Sequence, residues 1–202
     1  SIPHSGGDNA GYIALAHGLL TDGAYLDAFD PQRMKHTKYP PVFPALLAML
    51  IALGVRTWGM LKLAAAVPTV LAVFTTYVWA ERRLGAWTGF AIAVLVMLSA
   101  AVTYYSHWVL SDALFLAFTM LALAAFAISE TAEKSGTGAR SESERAGKRP
   151  DDWRHRLWLV IGTVATGLAY FTRSAGLPLV LALFAWLVVG RRWRSLLISL
   201  IG

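Results

Sequence analysis

Four residues of this sequence, Asp8, Lys38, Asp112 and Arg173, are of types that could work together on a phosphate-bearing substrate. A carboxylate within hydrogen-bond reach of a hydroxyl can take its proton as that oxygen attacks. Asp8, in Gly6-Gly7-Asp8-Asn9-Ala10-Gly11-Tyr12, is the first candidate for such a base. Lys38 ends the polar stretch Lys35-His36-Thr37-Lys38-Tyr39, which runs into Pro40-Pro41. A Lys ammonium is a compact cation suited to a phosphate, and an Arg guanidinium grips one with two parallel bonds. Asp112 is a second carboxylate, at the head of an apolar run. Arg173 stands between two short apolar runs. An unpaired Arg at membrane depth costs roughly 2.5–3.5 kcal/mol, so it calls for a partner, and a phosphate or Asp112 would serve.

Each of these residues also has a plain structural reading. Asp8 precedes Tyr12, Leu15, Ala16, Leu19 and Leu20, an apolar stripe on a helix over about 9–21. It could therefore cap that helix, and a helix N-terminus would keep it ionised. Lys35, His36, Lys38 and Tyr39 could simply attract anionic headgroups. Asp112 could serve the dipole of its own helix, with Ser111 as cap. His107 could bind a metal or a substrate hydroxyl, or be an ordinary interfacial histidine.

The elements that must position these side chains are membrane helices. Of 202 residues, 56% are hydrophobic and 15% charged, and the mean hydropathy is +0.53. That composition lies outside the soluble range and reads as an all-α, polytopic integral membrane protein. Five runs are apolar enough to be membrane segments: 58–80, 86–104, 108–128, 157–172 and 174–189. The first three are long enough to span as single helices, since a span needs roughly 20 residues. The last two flank Thr172-Arg173-Ser174 and read as a tight helical hairpin. Run 41–55 is too short to span and suits a surface-lying helix behind the Pro40-Pro41 corner. Residues 1–40 then form a first loop, 41–129 membrane helices, 130–156 a flexible polar connector, and 157–202 the hairpin plus the start of a further helix. A chain that opens in a polar loop and closes on an apolar run too short to span reads as part of a longer protein.

The net charge of +6 invites a nucleic-acid reading, but the charges sit in short loops between apolar runs, which topology explains better. Twelve of the 18 Lys and Arg lie in three segments: Arg82–Arg83, Lys134–Arg156 and Arg191–Arg194. If run 41–55 does not span, these segments share one side, and the positive-inside bias makes that side cytoplasmic. Residues 1–40, 104–111 and Arg173 then face outward together. If it does span, the first loop moves to the cytoplasm, and charge counting cannot separate the two cases. No cysteine is present, so thiol and disulfide chemistry are excluded. No phosphate-cradling glycine loop, clustered metal-ligand set or nucleophile motif is visible.

In order along the chain, three pieces form a pattern: Asp8…Tyr12 with Lys38-Tyr39-Pro40-Pro41-Val42-Phe43-Pro44; Ser111-Asp112-Ala113-Leu114-Phe115; and Gly167-Leu168-Ala169-Tyr170-Phe171-Thr172-Arg173-Ser174-Ala175-Gly176-Leu177. This ordered set resembles the GT-C-fold membrane glycosyltransferases, in particular the family 39-like group of protein O-mannosyltransferases and lipid A aminoarabinose transferases. The resemblance implies a GT-C transmembrane helix bundle with residues 1–40 and run 41–55 on the extracytoplasmic face. It implies a polyprenyl-phosphate-linked sugar as donor and an acceptor hydroxyl or phosphate on a glycan, lipid or protein, with membrane lipids as surroundings. Asp8 would act on the acceptor, Lys38 and Arg173 on the lipid phosphate, and Asp112 as a second carboxylate. Tyr12, Tyr39 and His107 would complete the substrate surface. No cofactor is implied, and a divalent metal is compatible with the chemistry but not demanded by it. The sequence departs from the group twice: Asn9 follows Asp8 where many relatives have Glu, and Tyr39 stands between Lys38 and the prolines. Two other classes stay open. A transporter or flippase for lipid-linked substrates should carry paired charges near the membrane midplane, and a non-catalytic membrane subunit should tolerate loss of Asp8.

Overall fold

The computed structural model describes residues 7–26, 35–146 and 153–189, with the stretch 132–146 as backbone only. The expected onset of a further helix, within 190–202, lies outside the described residues. The described chain is helical, with one isolated bridge between Leu26 and Lys35 closing the first loop.

Two helices lie at the end of the bundle that carries Val109 and Leu114. Helix α1 spans Asp8–Thr21 and α2 spans Val42–Ala52. At 1.5 Å per residue α2 is about 16 Å long, roughly half the hydrocarbon thickness. The two pack together, burying Tyr12 and Ala16 against Phe43, Leu47 and Ala48. Leu61, Ala64, Val109 and Leu114 complete this core and tie the pair to the bundle. Phe43 and Leu47 are fully buried, and each contributes about 1.5–3 kcal/mol.

The bundle itself is built on α4 (Leu63–Leu84), α7 (Asp112–Ala146) and α8 (Trp153–Thr172), with the one-turn α3 (Trp58–Leu61) leading into α4. Trp58–Leu84 and Asp112–Thr131 are long and apolar enough to cross a membrane. Small residues line the contacts: Ala64, Ala65, Ala72 and Ala80 on α4; Ala113, Ala117, Ala124 and Ala125 on α7; Gly162, Ala165 and Ala169 on α8. In lipid, close backbone approach replaces the hydrophobic effect as the source of helix association. A Cβ on Gly162 would come within 2.6 Å of the Phe126 ring, so these two helices meet at van der Waals distance. Hydroxyls inside the bundle bond back to the preceding turn, as Thr75 does to Leu71 O at 2.7 Å and Thr166 to Gly162 O at 2.8 Å. Val67, Val70 and Phe74 on α4 and Val164 and Phe171 on α8 face outward, as lipid-facing residues do.

Two expectations from the sequence are corrected. Run 86–104 is not one straight span. It is α5 (Ala86–Leu98) and α6 (Ala100–Ser106), bent by 58° at Ser99. Ser99 has φ −58° and ψ 127°, outside the helical region, and Thr103 Oγ1 donates to Met97 O at 3.3 Å, covering a carbonyl near the break. Apolarity reports that a segment can sit in lipid and carries no information on one residue's ψ. The second correction concerns the connector. Helix α7 continues through Ala146 and α8 begins at Trp153, so most of 130–156 is helical. Its Glu, Lys, Ala and Arg are good helix formers, and they extend a helix already nucleated in the apolar part.

The hairpin over 157–189 is present. Helix α8 ends at Thr172, Arg173 is extended, and a 3₁₀ turn over Ser174–Gly176 leads into α9 (Leu177–Val189). A Cβ on Gly176 would meet the Tyr170 backbone at 2.6 Å, so only glycine lets the turn fold this tightly onto α8.

Candidate active site

Helix α1 places Asp8 at its first residue, not at its cap. Gly7 holds the cap position without a side-chain bond, so the carboxylate is released from helix capping. It is spent instead on the loop before α2. The Tyr39 hydroxyl donates a short hydrogen bond to Asp8 Oδ1, and Lys38 Nζ lies 3.4 Å from the same oxygen. Lys38 Nζ also donates to Tyr39 Oη at 2.9 Å and sits over the Tyr39 ring at 4.7 Å from its centroid. Carboxylate, ammonium and phenol therefore form one cluster from residues 30 positions apart in sequence. The Asp8 side chain is 56% exposed and that of Lys38 70%, so the cluster opens outward.

The electrostatics follow from these contacts. The Tyr39 hydrogen bond, helped by the charges of Lys38 and Arg173 and opposed by partial burial, holds the Asp8 carboxyl below its ordinary range. The hydrogen bond to Tyr39 and the negative charge of Asp8 raise Lys38. Burial, with Asp8 as acceptor, pushes the Tyr39 phenol up. At neutral pH the cluster is a carboxylate, an ammonium and a neutral phenol.

Behind it, the site is anchored to the bundle. The Tyr12 ring lies 4.5 Å from that of Tyr39 and 5.0 Å from that of Phe43. Its hydroxyl is buried and shares a 2.9 Å hydrogen bond with Ser111 Oγ. Ser111 immediately precedes Asp112, the first residue of α7, and Asp112 Oδ1 takes an ion pair from Arg173 Nη1. Of the two partners the sequence offered Arg173, this structure uses Asp112.

Asp8, Lys38, Tyr39, Asp112 and Arg173 thus share one end of the bundle, and the Arg173 charge reaches Asp8. Tyr12, expected on the substrate surface, is 5% exposed and faces Ser111. His107 is exposed at the end of α6, and no described contact joins it to Asp8. Among the described residues no group of three or more His, Cys, Asp or Glu could hold a metal.

The contacts of two further residues were not foreseen from the sequence. Tyr25 donates to the Tyr39 carbonyl at 2.8 Å, fixing the loop from behind. Asn9 is 2% exposed with its Nδ2 unpartnered, and its Oδ1 accepts from Ala10 N at 3.2 Å. Neither lies in a periodic pattern that reading along the chain could find.

Far down α7 a second polar group forms. Arg83 Nη2 donates to Glu130 Oε2 at 2.9 Å, and Trp186 Nε1 to Glu130 Oε1 at 3.2 Å. Glu130 lies 18 residues beyond Asp112, about 27 Å along the helix, close to a bilayer's hydrocarbon thickness.

Residues 57–201 match the sequence profile of the dolichyl-phosphate-mannose-protein mannosyltransferase family. The chain belongs to that family. The match includes Asp112 and Arg173 and begins after the loop that carries Asp8 and Lys38. In three dimensions the chain is similar to the crystal structure of ArnT from Cupriavidus metallidurans in the apo state, with a TM-score of 0.67 at 18% identity. That similarity covers 97% of this chain, the first loop included, and 35% of the ArnT chain. The GT-C fold expected from the resemblance is therefore the fold observed. The chain spans about a third of the length of that solved protein. No curated protein matches the chain.

Proposed function

We propose that the protein is a membrane glycosyltransferase that moves a sugar from a polyprenyl-phosphate donor to an acceptor hydroxyl or phosphate on the extracytoplasmic face. The observation that carries this reading is the cluster of Asp8, Lys38 and Tyr39 beside the Asp112–Arg173 pair at one end of the bundle. Asp8 takes the acceptor's proton as the acceptor oxygen attacks the anomeric carbon. The bond from that carbon to the phosphate oxygen breaks, and the lipid phosphate leaves with the electron pair. Lys38 and Arg173 hold the phosphate and stabilise its charge. Asp112, engaged by Arg173, orients the guanidinium. A phosphate is a competent leaving group, so positioning and charge stabilisation supply most of the catalysis.

Family membership and the fold support a glycosyltransferase of this class. The outward orientation is supported by the placement of Arg82 and Arg83 at the far end of α4, a bilayer's thickness from Asp112. The described ion pairs Arg173–Asp112 and Arg83–Glu130 lie at the two ends of the apolar stretch Asp112–Thr131 and not midway along it, which speaks against a transporter.

Deleting the native gene and restoring it as wild type or Asp8→Asn tests the assignment. Envelope glycans and glycoproteins are compared by mass spectrometry. A hexose- or pentose-sized mass should return with wild type and fall by about 10²–10⁴-fold with an equally abundant Asp8→Asn protein. Full restoration by Asp8→Asn would remove Asp8 from the chemistry and favour a non-catalytic subunit.

A further inference from the structure

Among the described residues, Tyr39 is the one that touches both the carboxylate and the ammonium of the cluster. Its oxygen accepts from Lys38 Nζ at 2.9 Å while its proton goes to Asp8 Oδ1. Every described hydrogen bond to the Asp8 carboxylate falls on Oδ1.

The Tyr39 ring is held firmly enough to impose that geometry. It lies against Tyr12 at 4.5 Å and is stacked on His36 at 5.1 Å. Helix α1 meets its edge at Gly11, where a Cβ would stand 3.0 Å from Tyr39 Cε2. Its backbone N–H donates to His36 Nε2 at 3.1 Å, and its carbonyl accepts from Tyr25 Oη at 2.8 Å. Ring, backbone and hydroxyl are each fixed by a separate partner, whereas Asp8 and Lys38 are open to solvent. The packed member of the cluster sets the orientation of the two exposed ones.

We propose that Tyr39 is the positioning residue of this site: it pins Asp8 through Oδ1, so that Oδ2 is the oxygen that takes the acceptor's proton. This rests on the transferase reading above. It gives Tyr39 a role distinct from holding phosphate. When a donor phosphate draws the Lys38 ammonium away, the ring stays in place and Tyr39 alone keeps the base aligned. The bond has a second consequence, because the same hydroxyl helps keep the carboxylate ionised while it waits. The charged and titratable groups around Tyr39 are Asp8 and Tyr12 on α1, His36 and Lys38 in its own loop, Tyr25 behind it, and Arg173, whose charge reaches Asp8 from the end of α8.

The test uses the intact native protein in membranes. The probe is the lipid-phosphate-sugar fraction extracted from the deletion strain, and membranes of that strain supply the acceptor. Tyr39→Phe keeps the ring contacts and removes only the hydroxyl. It should lower kcat by roughly tenfold to a hundredfold, the worth of a charge-assisted hydrogen bond, with the donor KM little changed. Lys38→Ala should instead raise the donor KM. In an Asp8→Asn background, Tyr39→Phe should add nothing, because the base that it aligns is gone. If Tyr39→Phe fails to accumulate, 3-fluorotyrosine at position 39 keeps the shape and makes a stronger donor, and it should shift the acid limb of the pH–rate profile downward. A raised donor KM with intact kcat would make Tyr39 part of the phosphate holder and overturn the proposal. An undiminished effect in the Asp8→Asn background, or a fluorotyrosine profile identical to wild type, would reduce Tyr39 to packing. No transfer by wild-type protein would sink the transferase reading itself, a result separate from any of these.

Discussion

Arg173 shows why residue type matters at this site. Its guanidinium can give one edge to Asp112 and keep other N–H groups for a phosphate, which a Lys ammonium cannot do with the same fixed geometry. Arg173→Lys should therefore keep the charge and the fold but raise the donor KM about tenfold, measured with the extracted donor fraction. Equal KM for the two proteins would show that charge alone suffices. Asp8 is the other case. A capping role was open to it from sequence, and the structure puts Gly7 at the cap and Tyr39 on the carboxylate.

Among elements, the decisive link is between α1 and the head of α7. Tyr12 is legible in the sequence as part of an apolar stripe, but its hydroxyl partner is not, because Ser111 is 99 residues away. Ser111→Ala leaves a buried phenol unsatisfied and should destabilise the protein by about 1–3 kcal/mol. The double variant Tyr12→Phe with Ser111→Ala removes both partners and should recover most of that loss. Thermal unfolding in detergent reads the cycle, and additive losses would mean that the bond carries no coupling. The α8–α9 turn is the second positioning element. Gly176→Ala puts a methyl against the Tyr170 backbone and should shift the turn that presents Arg173, costing about 1–3 kcal/mol and reducing transfer even in protein that still folds. Transfer per folded molecule, unchanged from wild type, would separate the turn from the site.

For the whole molecule, the prediction is orientation. The chain lacks cysteine, so single replacements report cleanly. Thr37→Cys, in the exposed loop beside Lys38, should react with an impermeant thiol reagent in intact cells, and Leu84→Cys, at the basic end of α4, should react only after permeabilisation. Protection of the cysteine at position 37 would invert the protein and place the site in the cytoplasm.

The sequence by itself determined the helical membrane class, a short apolar helix behind Pro40-Pro41, and the hairpin around Arg173. These are properties of composition and short-range spacing, and each apolar run carries its own signal. It also named Asp8, Lys38, Asp112 and Arg173, because charge near lipid is expensive enough to stand out. Only the tertiary structure decided which of them meet. The Asp8–Tyr39–Lys38 cluster and the Arg173–Asp112 pair join residues 30 and 61 positions apart, brought together by packing of α1 on α2 and α8 on α7. The break at Ser99 and the extension of α7 to Ala146 were equally hidden. One depends on a single residue's backbone angle, and the other on a helix nucleated in the apolar run before it.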